Sequence, residues 1–220
     1  MRISIVTDNE KSWFVPYGNK LLHKLTEAGH EVTYVFDSKK INAGDVCFLL
    51  SCVRLVPKSV LSLNKNNIVV HASDLPKGKG FSPLQWQVLH GQNKIPLTLF
   101  EVVEQADAGP YYLKETLYFD GTELLDEMRE KMAAKIVDMC FHYIDKYRHL
   151  KPVEQSGEET FYRRRTDADD ELDIHKSIAE QFNHLRIGDN ETYPLYFHYN
   201  NKKYFLKIYN AGEARTSAKN

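Results

Sequence analysis

The sequence is poor in cysteine: Cys47, Cys52 and Cys140 make an odd count with no C-x-x-C pair. That fits reduced thiols in a cytoplasmic protein better than a disulfide framework. Its nine histidines show no H-x-x-x-H or Cys/His ligand spacing, so no metal site is expected. Neither charge is in excess, with 29 Lys and Arg against 30 Asp and Glu and a net charge of −1 at pH 7. A domain that neutralises many phosphates usually shows a basic surplus, so nucleic acid is not an expected partner. No stretch approaches the roughly 20 consecutive apolar residues of a spanning helix. The opening MRISIVTDNE lacks a basic region followed by a long apolar one. Membrane association is therefore not expected, and the cytoplasm is the expected compartment. Phosphate-gripping loops are missing too. The first apolar run leads into Thr7-Asp8-Asn9-Glu10-Lys11-Ser12 with no G-x-G-x-x-G or Walker pattern, which argues against a dinucleotide or ATP enzyme.

What remains is a globular composition of 220 residues, 42% hydrophobic, with 13 Tyr and 11 Phe. Residues 3–6 read as an apolar strand. A helical pattern follows through Leu21, Leu22, Leu25 and Ala28 to Gly29, and residues 31–36 read as the next strand. Residues 45–50 and 67–71 are two further strands. Strands alternating with helices predict an α/β fold: a Rossmann-like, mostly parallel sheet with helices on both faces and a site at the carboxyl ends of the strands. The strongest helix spans 122–148, with Leu125, Met128, Met132, Ile136, Cys140 and Ile144 at three- and four-residue steps. Thr122 is its expected N-cap, with Glu123 in the first turn. Its methionines read as core or interface filler.

Residues 151–160 are polar, with Pro and Gly, and read as a linker. They divide a catalytic domain, 1–150, from a small C-terminal α+β subdomain, 161–220, made of a short helix near 177–185 and a β-hairpin. The hairpin joins two aromatic runs, 193–199 and 203–209, around Asn200-Asn201. It carries seven of the Tyr and Phe residues. So small a piece must pack on the first domain or on a second subunit, and a homodimer is expected. Residues 211–220 are expected to fray.

The chemistry concentrates between residues 67 and 109. His71 closes an apolar strand and is followed by Ala72-Ser73-Asp74-Leu75-Pro76-Lys77-Gly78-Lys79-Gly80, a polar loop at the expected active edge. A histidine there is either a structural strand-end residue or an acid and base. Residues 81–89 then start a helix, 97–101 form a strand, and Asp107-Ala108-Gly109-Pro110 makes a tight turn. His71-Ala72-Ser73, Leu75-Pro76, Gly80, Pro83, Trp86, Gly91, the strand around Thr98 and Asp107-Ala108-Gly109 resemble, in order and spacing, the folate-dependent formyltransferases. The spacing of 36 positions from His71 to Asp107 is similar to that family's. Phe161 to Thr166, Leu172-Asp173, Gln181-Phe182, Arg186, Asp189, Tyr193-Pro194 and residues 204–208 resemble the tail of the short bacterial sugar N-formyltransferases. So do Thr7-Asp8-Asn9, Ser12-Trp13 and residues 69–80.

The resemblance implies transfer of a formyl group from 10-formyltetrahydrofolate, a co-substrate, to the amine of a nucleotide-linked amino-dideoxysugar, a precursor of surface polysaccharide. Folate and the sugar nucleotide are the implied partners. A degenerate member that binds sugar nucleotide or folate without transfer is the alternative. His71 would be acid, base and oxyanion partner, since an imidazole holds or releases a proton near neutrality. Asp107 would favour its charged form and fix the ring. The family's third member, an Asn two positions before the His, is Val69 here, and losing such an oxyanion donor can cost roughly 3 kcal/mol. Asn67, on the same strand face, and Asn93, in a helix-to-strand loop, are the candidate replacements, each also readable as a turn or strand-cap residue. For the folate, the implied loop is Leu50, Ser51, Cys52, Val53, Arg54 and Leu55, together with Asp107. Cys52 reads as a packing residue, not a nucleophile. Candidates for the sugar nucleotide are Asn9, Trp13, Tyr17, Ser73, Asp74, Lys77, Gly78 and Lys79. Trp13 and Tyr17 either stack on the ligand or pack; Lys77 and Lys79 either meet pyrophosphate or are solvated. Arg163-Arg164-Arg165 reads as a surface or interdomain run.

Overall fold

The computed structural model describes residues 1–212. β1 (Arg2–Val6), α1 (Val15–Glu27) and β2 (Glu31–Val35) form the first β-α-β unit. β3 (Gly44–Leu49), the single turn α2 (Lys58–Leu61) and β4 (Asn64–His71) continue it. After the short β5 (Lys79–Gly80) and α3 (Pro83–Leu89), β6 (Lys94–Glu101) and β7 (Tyr111–Tyr118) complete a six-stranded sheet in the order β2-β1-β3-β4-β6-β7. The first four strands are mutually parallel, and β6 and β7 are antiparallel to their neighbours. The expected α/β fold is present. The antiparallel pair was not foreseen, because 111–118 lacks the alternation of a half-buried strand: the polar run Lys114-Glu115-Thr116 stands between two apolar stretches.

Alternation along β3 shows how the layers are filled. Val46 and Phe48 enter the large core with Leu21 and Leu25 of α1 and with α4 (Leu125–Asp145); Cys47 and Leu49 enter a smaller apolar cluster on the opposite face with Val6, Ile41, Val60 and Leu61. One face is therefore covered by helices α1 and α4. Gly18 of α1 has no room for a Cβ, because the Tyr34 ring of β2 lies against it. The Tyr34 hydroxyl in turn bonds Thr7 Oγ1 at 2.9 Å, at the carboxyl end of β1.

α4 begins three residues later than the periodicity suggests. The Thr122 backbone N–H and hydroxyl both donate to Asp120 Oδ1 (2.8 and 2.6 Å), which makes a turn, not a helix cap. Leu124 is the N-cap, and its N–H donates to Glu127 Oε2 at 2.7 Å. Glu123 folds inward and is 5% exposed. Its carboxylate accepts the Asp120 and Gly121 N–H groups, Lys131 Nζ at 2.5 Å and Arg186 Nη2 at 3.3 Å.

Residues 151–160 are not a free linker. They are hydrogen bonded across the region of His71, as described below, and end in β8 (Phe161–Tyr162), which pairs in parallel with β5. The predicted helix at 177–185 shortens to α5 (Phe182–Arg186): Ser177 and Glu180 exchange the hydrogen bonds of a capping box, but only turns follow until Phe182. The hairpin is present as β9 (Leu195–Tyr199) and β10 (Lys202–Leu206). Asn200 and Asn201 both adopt positive φ, 48° and 61°, as its two-residue turn requires. Residues 213–220, most of the segment expected to fray, lie outside the described residues.

Candidate active site

His71 is the last residue of β4, at the carboxyl edge of the parallel strands. Its neighbours of the same parity, Asn67 and Val69, share its face, the one away from α1 and α4. His71 Nε2 lies 2.9 Å from the Gly78 carbonyl. A carbonyl only accepts, so Nε2 carries a hydrogen and Nδ1 is the free atom of the neutral ring. Nδ1 faces Asp107 Oδ1 at 4.0 Å. The other Asp107 oxygen accepts the Gly80 N–H at 2.9 Å. One nitrogen and one oxygen therefore remain uncommitted and face each other. Their separation is beyond a hydrogen bond and accommodates one bridging N or O atom.

Asp107 holds this position from an unusual backbone. Its φ is 53° in the left-handed region, which Asp tolerates better than most residues. Two residues later Gly109 packs so closely on the Glu101 carbonyl that no Cβ fits. That requirement explains the glycine of the D-x-G turn.

Neither candidate asparagine joins the pair. Asn67 lies four residues, about 13 Å, before His71 along a regular strand, and donates its amide to the Leu61 carbonyl at 3.0 Å, capping the end of α2. Asn93 precedes β6 by one residue, whereas His71 pairs with Thr98, so about 16 Å of strand separates them. Its Oδ1 accepts Arg186 Nη1 at 3.0 Å. Val69 instead packs on the apolar cluster of Val6, Ile41, Cys47 and Leu49, as do Cys52 and Val102, which makes the floor beside His71 apolar.

The loop 72–80 is split in its roles. Ser73 is 2% exposed, its carbonyl accepts Thr98 Oγ1 at 2.6 Å, and its own hydroxyl has no partner among the described residues. Asp74 is turned outward to Lys114 Nζ at 2.6 Å. Lys77 is exposed and available to a ligand, while Lys79 is 2% exposed and paired with Glu159 at 2.6 Å. The sequence could not distinguish these two lysines; burial removes Lys79 as a phosphate ligand, and its role is structural. Gly78 serves the site through its backbone, as the anchor of His71.

Around the end of β1, Asp8 organises the loop that follows β3. Its carboxylate accepts the N–H groups of Val53 (2.8 Å) and Arg54 (3.0 Å). Ser51 sits at φ 58° with its hydroxyl 3.1 Å from that of Ser12. Leu50 is buried, whereas Val53 and Leu55 are 68% and 83% exposed. Burial pushes the Cys52 thiol up to about 12, with the Asp8 carboxylate adding to the effect, so it is inert as a nucleophile. Asn9 is exposed and accepts the Lys11 N–H at 2.9 Å. Trp13 is half-buried edge-on against Phe14 and Tyr17, with the Arg129 guanidinium 5.5 Å from its ring centre. Packing accounts for much of both Trp13 and Tyr17.

Two open clefts, of about 550 and 510 Å3, lie on the side of residues 168–212 and do not include His71. The second contains His198 and Glu171 at 2.8 Å, but these side chains are 51% and 43% exposed, so water solvates the pair. Enclosed, oppositely anchored groups single out His71 and Asp107 instead. Among the described residues no group of three His, Cys, Asp or Glu converges on a metal position, and no helix is long and apolar enough to cross a membrane.

Comparison with known proteins identifies the family and the fold. The family model described as formyl transferase matches residues 18–140, more than half of the chain. The chain belongs to the formyl transferase family. A methionyl-tRNA formyltransferase of Mycoplasma capricolum is 30% identical over 145 residues, covering 63% of this chain and 46% of that protein. The chain thus spans about half the length of the curated relatives it matches. Among solved structures of the fold, a methionyl-tRNA formyltransferase from Clostridium thermocellum superposes with a TM-score of 0.77 at 25% identity, over 92% of this chain and 90% of that one. A 4-N formyltransferase from Francisella tularensis superposes with a TM-score of 0.69 at 18% identity, over 94% and 96%.

Proposed function

We propose that this formyl transferase moves a formyl group from 10-formyltetrahydrofolate to the primary amine of a nucleotide-linked amino-dideoxysugar. The observation that carries the reading is the His71 and Asp107 pair, with His71 Nε2 and Asp107 Oδ2 anchored on Gly78 and Gly80 and Nδ1 left to face the second oxygen. Nδ1 takes the proton that the amine nitrogen loses as its bond to the formyl carbon forms. The carbonyl π pair moves to oxygen at that step. Nδ1 then returns the proton to the departing folate nitrogen as the old C–N bond breaks and the carbonyl re-forms. Asp107 stabilises the imidazolium in between. The exposed apolar side chains of Val53 and Leu55, beside the strand ends, suit a flat folate ring. The exposed Tyr199, Tyr204 and Phe205 of the hairpin support association as a homodimer.

Charge favours a small acceptor over tRNA. The net charge is −1, and in the run 163–165 both Arg163 and Arg165 are spent on carboxylates, those of Asp169 and Asp170. The second reading, formylation of methionyl-tRNA, is supported by the 30% identity to the Mycoplasma enzyme. Incubation with 10-formyltetrahydrofolate and, separately, nucleotide-linked 3- and 4-amino sugars or initiator methionyl-tRNA decides between them. Formylated sugar nucleotide is the expected product. Formylated methionyl-tRNA would overturn the sugar reading, and binding of sugar nucleotide without product would indicate a degenerate member.

A further inference from the structure

Residues 153–162 run back across the site and hold both members of the pair from behind. Val153 exchanges backbone hydrogen bonds with Tyr111, at 2.9 and 2.8 Å. Two residues on, Gln155 Nε2 donates to the carbonyls of Asp107 (3.0 Å) and Gly109 (2.7 Å). The Thr160 hydroxyl accepts the Gly78 N–H at 2.8 Å and its carbonyl accepts the Lys79 N–H at 2.9 Å. Gly78 is the residue whose carbonyl holds His71, and the Gly80 N–H holds Asp107. The strap thus reaches the anchors of both side chains.

Gln155 is its most informative member. Both amide hydrogens are spent on the single turn that carries Asp107. Its Oε1 is buried with no partner among the described residues. Flipping the amide would set that oxygen against two carbonyl oxygens, so the donors must face the turn. A buried acceptor left unpaired is destabilising, and an apolar side chain would avoid it. The arrangement therefore fixes where the turn sits, at some expense of stability. The turn needs such fixing because Asp107 is in the left-handed region and Gly109 abuts Glu101.

We propose that Gln155 is a positioning residue for formyl transfer, holding the Asp107 turn so that Oδ1 faces His71 Nδ1. The proposal rests on the acid-base reading of that pair. Its test uses the full chain with Gln155→Leu, which removes the donors, and the isosteric Gln155→Glu, which sets a carboxylate against the two carbonyls. In both variants kcat falls about 10- to 100-fold, the scale of a 1 Å misplacement, while KM for 10-formyltetrahydrofolate changes less than about threefold. The activity-independent arm is amide hydrogen exchange. The Gly80 N–H, which donates to Asp107, exchanges at least about tenfold faster in the variants, while Phe48 and Ile68 in the sheet stay within about twofold. General destabilisation would accelerate all three. Near-normal kcat in both variants, or unchanged exchange at Gly80, overturns the proposal. If the wild-type chain formylates none of the acceptors, the functional reading fails and the exchange arm still decides the role of Gln155.

Discussion

Arg186 is the side chain whose removal tests how the C-terminal residues are joined to the sheet. It is 1% exposed, and its guanidinium donates to the Glu123 carbonyl (2.9 Å), Glu123 Oε2 (3.3 Å), Asn93 Oδ1 (3.0 Å) and Asn183 Oδ1 (3.2 Å). Arg186→Met keeps most of the volume and removes every one of these bonds. Breaking a buried pair from one side usually costs about 3–5 kcal/mol, because the other charge stays buried. Here Lys131, half-exposed and 2.5 Å from Glu123, still compensates the carboxylate, so the lower end, about 3 kcal/mol, is expected. For a chain of this size that lowers Tm by roughly 10 °C. Urea and thermal unfolding at pH 7 read it directly. Burial pushes the Glu123 carboxyl up, but the Lys131 ammonium and the backbone N–H groups of Asp120 and Gly121 outweigh it, and the net shift is downward. A carboxyl depressed in the folded state contributes stability that is present above its unfolded pKa of about 4.3 and lost as pH falls through the folded value. The stability advantage of wild type over Glu123→Gln therefore shrinks as pH falls below about 4.3. A loss below about 1 kcal/mol in Arg186→Met, or an acid profile unchanged by Glu123→Gln, would refute this account of the network.

His71→Ala and Asp107→Ala each lower kcat by at least about 100-fold, the minimum expected for loss of a general acid-base group, with an unchanged circular dichroism spectrum; near-normal turnover in either sinks the mechanism. Val69→Asn puts an amide donor on the His71 face and raises kcat, by up to about 100-fold if it aligns with the oxyanion, while burying a polar group against the apolar cluster of Val6, Ile41, Cys47 and Leu49 costs about 1–3 kcal/mol. A stable Val69→Asn variant without any gain would show that the oxyanion is already served by another donor. Cys52, with its thiol pushed up to about 12, reacts with iodoacetamide at pH 8 far more slowly than a free thiol; rapid stoichiometric labelling would contradict its burial.

Where a pattern is local, the sequence carried it. The β-α-β unit, the His71 edge, the D-x-G turn and the Asn-Asn hairpin depend on neighbours within a few residues, and each stands where it was expected. The misses in the linker and at the site have a different cause from the shifted helix ends, because they depend on partners far apart in the chain. Polar residues such as Gln155 and Thr160 look like linker until Asp107, Gly109 and Gly78, tens of residues earlier, supply their hydrogen-bonding partners. Asn93 resembles a loose catalytic candidate until Arg186 claims its oxygen, and Lys79 resembles a phosphate ligand until Glu159 buries its charge. A long-range polar contact leaves no periodicity to read. The segment 151–162 thus bears on catalysis and on fold together: Gln155 and Thr160 help fasten the C-terminal piece and also hold the anchors of His71 and Asp107. A loosened strap would lower turnover before it unfolded the domain, whereas a loosened Arg186 network, which does not touch the pair, would lower stability first.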